Sequence, residues 1–193
     1  SCGMPALPGA IYRAEDTGSI QASTIGNSPP QGVCGTGLID LIAVFLARGE
    51  IAPGGAIQNP EKRLPVAAGI VLTQDDVRQM QLACAAIKSG IRLMLKANGL
   101  SVEKLDRIFI AGAFGSYLNI RNSMALGLLP RMDEKRVVFI GNASLAGARL
   151  LLVAKKERRE IESLVQRIRY LSLASDREFQ DYFIRALEFA GWP

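Results

Sequence analysis

The sequence has no histidine in 193 residues. That absence removes Ser-His-Asp and Cys-His catalysis, histidine metal sites and a histidine pH switch together. Cysteine is scarce and odd in number, at Cys2, Cys34 and Cys84, with no two close enough to form a CxxC pair. Neither a disulfide framework nor a cysteine metal or cluster site is supported, so any iron–sulfur chemistry must lie outside this chain. No apolar run approaches the roughly 20 residues needed to cross a bilayer, and no signal peptide opens the chain, so no membrane association and a cytoplasmic location are the expectation. Internal repeats and low-complexity segments are also lacking.

What is present is the balance of a folded globular protein. Hydrophobic residues make up 49% and charged residues 21%, enough apolar material in one domain-length chain for a core without disulfides or metals. The net charge of +5 gathers late, where Arg149, Lys155, Lys156, Arg158, Arg159, Arg167 and Arg169 outweigh Glu157, Glu160 and Glu162. Acidic residues interleaved at helical spacing make this a solvated helix face rather than a nucleic-acid patch.

The stretch Arg107–Asn119, RIFIAGAFGSYLN, carries the strongest local signal. Arg107 to Ile110 read as a buried strand that runs into Gly112, Phe114 and Gly115. Glycine accepts positive φ and lets a ligand lie directly on the main chain, and the crevice at the carboxyl end of a strand is where open α/β sheets bind ligands. A tight strand-to-helix turn without a ligand accounts for the same residues equally well.

In chain order, Ile11 to Ala14 and Ile20 to Ile25 read as two strands joined by the turn Asp16-Thr17-Gly18-Ser19 and closed off by Pro29 and Pro30. The start, with no initiator methionine, suggests a piece of something longer. A helix follows, with Leu38, Leu41, Ile42, Phe45 and Leu46 on one face and Gly49 as its stop. Gly35, Thr36 and Gly37 then sit at a helix N-terminus, where free amides and the dipole favour an anion, although Thr36 serves equally as a cap. Residues 53–65 read as loop and Pro65 to Leu72 as one short strand. Thr73 and Asp76 resemble a capping box opening the longest helix, whose core face is read as Val77, Met80, Cys84, Ile87, Ile91 and Met94, ending at Asn98-Gly99. Cys84 on that stripe is a small buried hydrophobe, and Gly90 implies close packing.

Further on, Ile120 to Leu129 reads as a helix closed by Pro130, Arg136 to Ile140 as a strand, Gly141 and Asn142 as a turn, and Ala143 to Ala154 as a helix. Two strand–glycine–helix units in succession argue for a parallel portion of sheet. A charged helix from Lys155 to Arg169, a strand from Tyr170 to Leu173 and a helix from Asp176 to Phe189, capped by Ser175, complete the expectation.

Five segments, GVCGTGLIDLIA, LTQDDVRQMQLACAAIKSGI, IFIAGAFGSYLN, MALGLLP and VVFIGNASLAGAR, resemble the C-terminal region of the reductive activators of corrinoid proteins and their uncharacterised relatives, across nearly the whole chain and in order. These belong to the superfamily of acetate and sugar kinases, heat-shock ATPases and actin. The resemblance implies an α/β, ribonuclease-H-like (actin-like ATPase) lobe with a mixed sheet flanked by helices. It also implies a longer protein with an N-terminal [2Fe-2S] domain, which uses ATP and magnesium to drive cobalt(II) corrinoid to cobalt(I) in methyl-transfer metabolism. The partner it implies is a corrinoid protein or corrinoid methyltransferase, and it leaves room for a homodimer. By the same resemblance Gly112, Ala113, Phe114 and Gly115 correspond to the adenosine motif, with Ala113 standing where the second of two adjacent glycines is usual. Gly35, Thr36 and Gly37 lie near the nucleotide cleft, and Gly141, Asn142 and Gly147 fall in the GNA segment. The Asp-Gly phosphate motifs belong upstream of residue 1, so this chain would be one lobe of a two-lobed ATPase. The alternative is a module that keeps the fold without ATP turnover and docks a corrinoid or methyltransferase partner. A basic nucleic-acid-binding domain, resting on net charge alone, is the weakest reading.

Overall fold

The computed structural model describes residues 2–112, 114–173, 176–189 and 192. The chain opens with strands β1 (Ala10–Asp16) and β2 (Ile20–Thr24), an antiparallel hairpin turned at Gly18, whose φ is +94°. The short strand β3 (Gly32–Val33) then pairs with β1 in parallel, giving the mixed order β2-β1-β3. Helix α1 (Gly35–Ala47) runs back over β1. Its burial extends beyond the expected single face, because Ile39, Ala43 and Val44 are covered as well as Leu41, Ile42 and Phe45. A helix apolar on nearly every side belongs inside a core, and here Ile11, Ala14, Leu64, Leu72 and Val77 join it.

The segment expected as one strand over 65–72 is instead two, β4 (Arg63–Ala67) and β5 (Ile70–Thr73), paired antiparallel. Gly69, at φ +76°, makes the reversal. Alternation of buried Leu64, Val66, Ile70 and Leu72 with exposed or half-buried neighbours shows one face of this hairpin on the core.

Helix α2 (Gln74–Ala97) starts at the expected capping box. The Thr73 amide and hydroxyl both donate to Asp76 Oδ2, at 3.0 and 2.7 Å, while the Asp76 amide donates to Thr73 Oγ1. Its first half buries Val77, Met80 and Cys84 as expected, but the second half turns a different face inward. Ser89, Gly90 and Leu93 are covered there, while Ile87 and Met94 are about half exposed. The reason is α6 (Arg177–Arg185), which packs along α2. Arg92 lies 4.3 Å from the centre of the Tyr182 ring, Lys96 pairs with Glu178, and Gln81 Nε2 donates to the Leu187 carbonyl at 2.7 Å. Gly90 is buried, but a Cβ there would meet only Leu173 Cδ1, at the ordinary contact distance of 3.4 Å, so no close approach demands glycine. Ile91 and Met94 instead line an apolar groove of about 330 Å³ with Leu100, Leu105, Ile108 and Leu129.

Strand β6 (Ile108–Ala111) leads to the short helix α3 (Ile120–Ala125), and β7 (Val137–Gly141) to α4 (Ala143–Val153). β6 and β7 pair in parallel, as the two strand–glycine–helix units require. The expected helix over 120–129 stops early, because Gly127 turns left-handed at φ +76° and Leu128 and Leu129 fold back to the Ser123 carbonyl. β6 is not buried as expected: Ile108 and Ile110 are half-buried, and Phe109 is 59% exposed.

Helix α5 (Lys155–Arg167) carries the basic cluster on an exposed surface, with Lys156 and Glu160 paired one turn apart. Arg158 joins it to α4 by donating to the Leu151 and Leu152 carbonyls. Residues 170–173 form no strand, and Tyr170 is 91% exposed. Ser175 lies outside the described residues, and the cap of α6 is Asp176, whose carboxylate accepts from the Glu178 amide.

Candidate functional site

The parallel pair ends level. Ala111 of β6 sits opposite Gly141 of β7, and just beyond, the Gly112 amide donates to the Gly141 carbonyl at 2.7 Å. Both glycines are left-handed, at φ +95° and +61°, and a Cβ on either would meet nothing within 4 Å. Two main-chain bends at the carboxyl ends of two parallel strands therefore face open space, without side chains of their own.

The loop after Gly112 turns this rim toward α1. Phe114 lies against Gly35, so closely that a Cβ on Gly35 would come 2.7 Å from Phe114 Cε2. Gly115 fits over β6 in the same way, since a Cβ there would come 2.4 Å from Ile110 Cγ2. Phe114 remains 53% exposed at the mouth, and Tyr117 beyond it meets Tyr12 edge-on, ring centres 6.1 Å apart. Thus Gly35, Phe114, Gly115, Gly112 and Gly141 are brought onto one rim from three distant stretches of sequence. Ala113 lies outside the described residues.

Thr36, Gly37 and Asn142 are engaged differently. The Thr36 hydroxyl donates to the Tyr12 carbonyl at 2.9 Å and is buried, so it ties α1 to β1 rather than capping the helix. Gly37 is a packing position, since a Cβ there would fall 2.2 Å from the Ile11 carbonyl oxygen. The N-cap of α1 is Cys34, which makes no side-chain cap bond. Asn142 caps α4, its Oδ1 accepting from the Leu145 amide at 3.0 Å.

Sequence reasoning missed Asp40. It is 2% exposed in α1, and its carboxylate accepts from the Ala14 amide at 3.2 Å and from Asn122 Nδ2 at 2.6 Å. One side chain thereby fastens β1, α1 and α3, the last of which follows the Phe114 loop. Burial pushes its pKa up, and the bonds from Asn122 and Ala14 oppose that rise. The available signal was a single charge inside the apolar run from Leu38 to Leu46.

Cys84 is 1% exposed, and burial pushes its thiol up to about 11; Cys34 is buried as well. A thiol so raised is neither nucleophile nor ligand at neutral pH. Replacing either by alanine is expected to lower stability by about 1 kcal/mol and to leave electron transfer by the whole protein unchanged. Loss of cluster-dependent reduction in a variant that still folds, followed spectroscopically, would contradict this.

The family model for the C-terminal domain of RACo, the ASKHA domain, matches residues 1–191. This chain belongs to that family. The corrinoid activation enzyme RamQ of Eubacterium limosum is 33% identical over 214 residues, covering 94% of this chain and 35% of that protein. The [Co(II) methylated amine-specific corrinoid protein] reductase of Methanosarcina barkeri is 29% identical over 164 residues, covering 82% and 29% respectively. A solved structure titled reductive activator for corrinoid, iron–sulfur protein matches with a TM-score of 0.87 at 35% identity, over 99% of this chain and 34% of that one. The ASKHA chain therefore spans about a third of the length of these relatives, and it shares its actin-like α/β architecture with the solved structure.

Proposed function

We propose that this ASKHA chain is the adenosine-binding lobe of an ATP-dependent reductive activator, a protein that returns the cobalt(II) form of a corrinoid protein to cobalt(I). The observation that carries the reading is the shared rim: Gly112 and Gly141, hydrogen-bonded at the ends of parallel strands, beside the Gly35–Phe114 contact at the start of α1. The residues fit a nucleoside. Two side-chain-free bends open to space let a flat base or a ribose lie on the main chain, and the half-exposed Phe114 ring offers an apolar flank. Asn142 contributes by fixing the start of α4 behind Gly141, and Thr36 and Gly37 by holding α1 on β1 so that Gly35 meets Phe114.

The described residues offer no cysteine set for a [2Fe-2S] cluster, and in this reading magnesium is held with the nucleotide phosphates elsewhere in the protein. Among the described residues no group of three His, Cys, Asp or Glu could hold a metal ion, and the cysteines are isolated, two of them buried. In this reading both groups belong to other parts of the protein, with this chain as one lobe of a two-lobed ATPase. In this reading the role of this lobe is to bind and orient the nucleoside, and a cluster held elsewhere in the protein would supply the electron for cobalt reduction.

The test is nucleotide binding by the whole gene product carrying Gly112→Val, beside Gly69→Val as a control. Both glycines have positive φ and open space around them, so both changes introduce comparable backbone strain, but only the first stands on the rim. Binding is expected to fall by tenfold or more, roughly, for Gly112→Val alone, since a branched side chain would occupy the nucleoside's approach. Equal ATP affinity in Gly112→Val and the parent protein would refute the assignment. ATP-dependent appearance of the cobalt(I) spectrum in a corrinoid protein tests the activity itself.

A further inference from the structure

The loop from β6 to α3 carries Phe114 to the mouth of the rim, and its far end is held by one buried polar contact. Its near end is fixed by the parallel pair, through the Gly112 amide and the Gly141 carbonyl. At the far end Asn119 caps α3, its Oδ1 accepting from the Asn122 amide at 3.1 Å, and Asn122 Nδ2 donates onward to Asp40 Oδ1 at 2.6 Å. Asp40 lies in α1, five residues after Gly35, against which Phe114 rests. So α1 meets this segment twice, by an apolar contact at its start and by a hydrogen bond further on. Among the described residues no other side-chain hydrogen bond joins α1 to residues 112–125. Because α3 has only six residues, it cannot hold its own position, and its tertiary contacts decide where it stands. Buried Met124 supplies apolar contact, which is non-directional. The Asn122–Asp40 bond supplies direction. Packing alone would not call for it: Asp40 is 2% exposed and forms no ion pair among the described residues, and a carboxylate buried without a cation is less favourable than an apolar side chain of its size. The Ala14 amide meets one of its oxygens and Asn122 the other, which ties the loop to β1 and α1 at once.

We infer that Asp40 and Asn122 form a positioning pair: the hydrogen bond between them holds the loop where Phe114 meets Gly35, and so sets the affinity for the nucleoside. The inference rests on the proposed function for the identity of the ligand. Neither side chain lies on the rim itself, since Asp40 is enclosed between β1 and α3. What the pair contributes is order before binding. A loop already in place loses little conformational freedom when the nucleoside arrives. A loop released at Asn122 is competent only part of the time, and the apparent affinity falls by that fraction. Releasing it therefore weakens binding without changing the groups that line the rim.

The test is a reciprocal exchange in the whole gene product with two readouts: ATP affinity by calorimetry, and hydrogen exchange of peptides covering residues 114–119 without nucleotide. Asn122→Asp sets two carboxylates against each other beside a buried group. It is expected to weaken ATP binding by roughly tenfold or more and to speed exchange in the loop, while exchange in the β4–β5 hairpin stays unchanged. Adding Asp40→Asn to it again faces a donor with a carboxylate, and the new amide's oxygen still accepts from Ala14, so the double variant should recover most of both losses. Cys84→Ala, a destabilising change away from the rim, should alter neither readout. If Asn122→Asp does not fold, Asn122→Ala removes the bond without adding a charge and is expected to give the same two effects. Unchanged affinity and exchange in the folded single variant, a double variant no better than the single, or an equal response to Cys84→Ala would each overturn the inference. ATP binding by the parent separates the two ideas. Faster loop exchange in variants of a parent that binds no ATP would sink the nucleotide reading alone, and ATP binding indifferent to Asn122 would sink this one.

Discussion

Gly37→Ala is expected to destabilise the protein by about 3 kcal/mol or more, enough to unfold much of it under ordinary conditions. The added Cβ would lie 2.2 Å from the Ile11 carbonyl oxygen, 2.8 Å from its carbon and 3.3 Å from the Tyr12 Cα. All three are main-chain atoms of β1, a strand held on both sides by β2 and β3. No side chain can swing away, so α1 and β1 must separate. Their separation also breaks the Thr36–Tyr12 hydrogen bond and loosens Asp40 from the Ala14 amide. A suitable comparison is Gly147→Ala in α4, where a Cβ meets nothing within 4 Å and the change should stabilise the helix by up to about 1 kcal/mol. Urea denaturation followed by circular dichroism measures both. A Gly37→Ala midpoint equal to that of the parent would show that the helix does not approach the strand this closely. Gly35→Ala is a gentler case despite a 2.7 Å conflict, because the obstacle is the half-exposed ring of Phe114, which can rotate. Its expected effect falls on nucleotide binding more than on stability.

How much of this was legible in the sequence depends on the range of the interactions. The β1–β2 hairpin, the Thr73–Asp76 box and the two strand–glycine–helix units are set by residues a few positions apart, and they appear where the pattern puts them. The β4–β5 reversal was hidden because an unbroken run of small and apolar residues looks like one strand; Gly69 was its sole mark. The second half of α2 went astray for a tertiary reason. Its apolar stripe through Ile87 and Met94 is periodic, yet α6 arrives from about 80 positions away and covers the Ser89–Leu93 face instead. At the candidate site, glycines after strands were visible, but the partner of each was not. Gly35 needs Phe114 and Gly112 needs Gly141, and no local pattern announces either contact. Asp40 is the extreme case, since its role depends on Asn122, 82 positions later.

Residues 1–193 on their own are expected to show no ATP turnover above background while retaining weak nucleoside binding. Phosphoryl transfer is mostly a matter of neutralising charge on the transferring group, through metal ions held by carboxylates and through cationic clamps. Each such electrostatic contribution is worth roughly a hundredfold or more in rate. The carboxylates that burial might have prepared for this work are Asp40 and Asp76, and both are committed. Asp40 is closed in by Ala14 and Asn122, and Asp76 by the Thr73 cap. Asp16 is held near pKa 2 by its hydrogen bond from Arg48 on the outside of the hairpin, so it is paired away from the glycine rim. The rim itself presents main-chain bends and an aromatic ring, an arrangement suited to a nucleoside. Steady-state phosphate release by the isolated chain with magnesium and ATP, beside its Gly112→Val variant, is the direct measurement. Turnover that follows the purified chain and vanishes in the variant would mean that the phosphate-handling groups lie within these residues after all. Turnover that appears only with the whole gene product would place them outside residues 1–193.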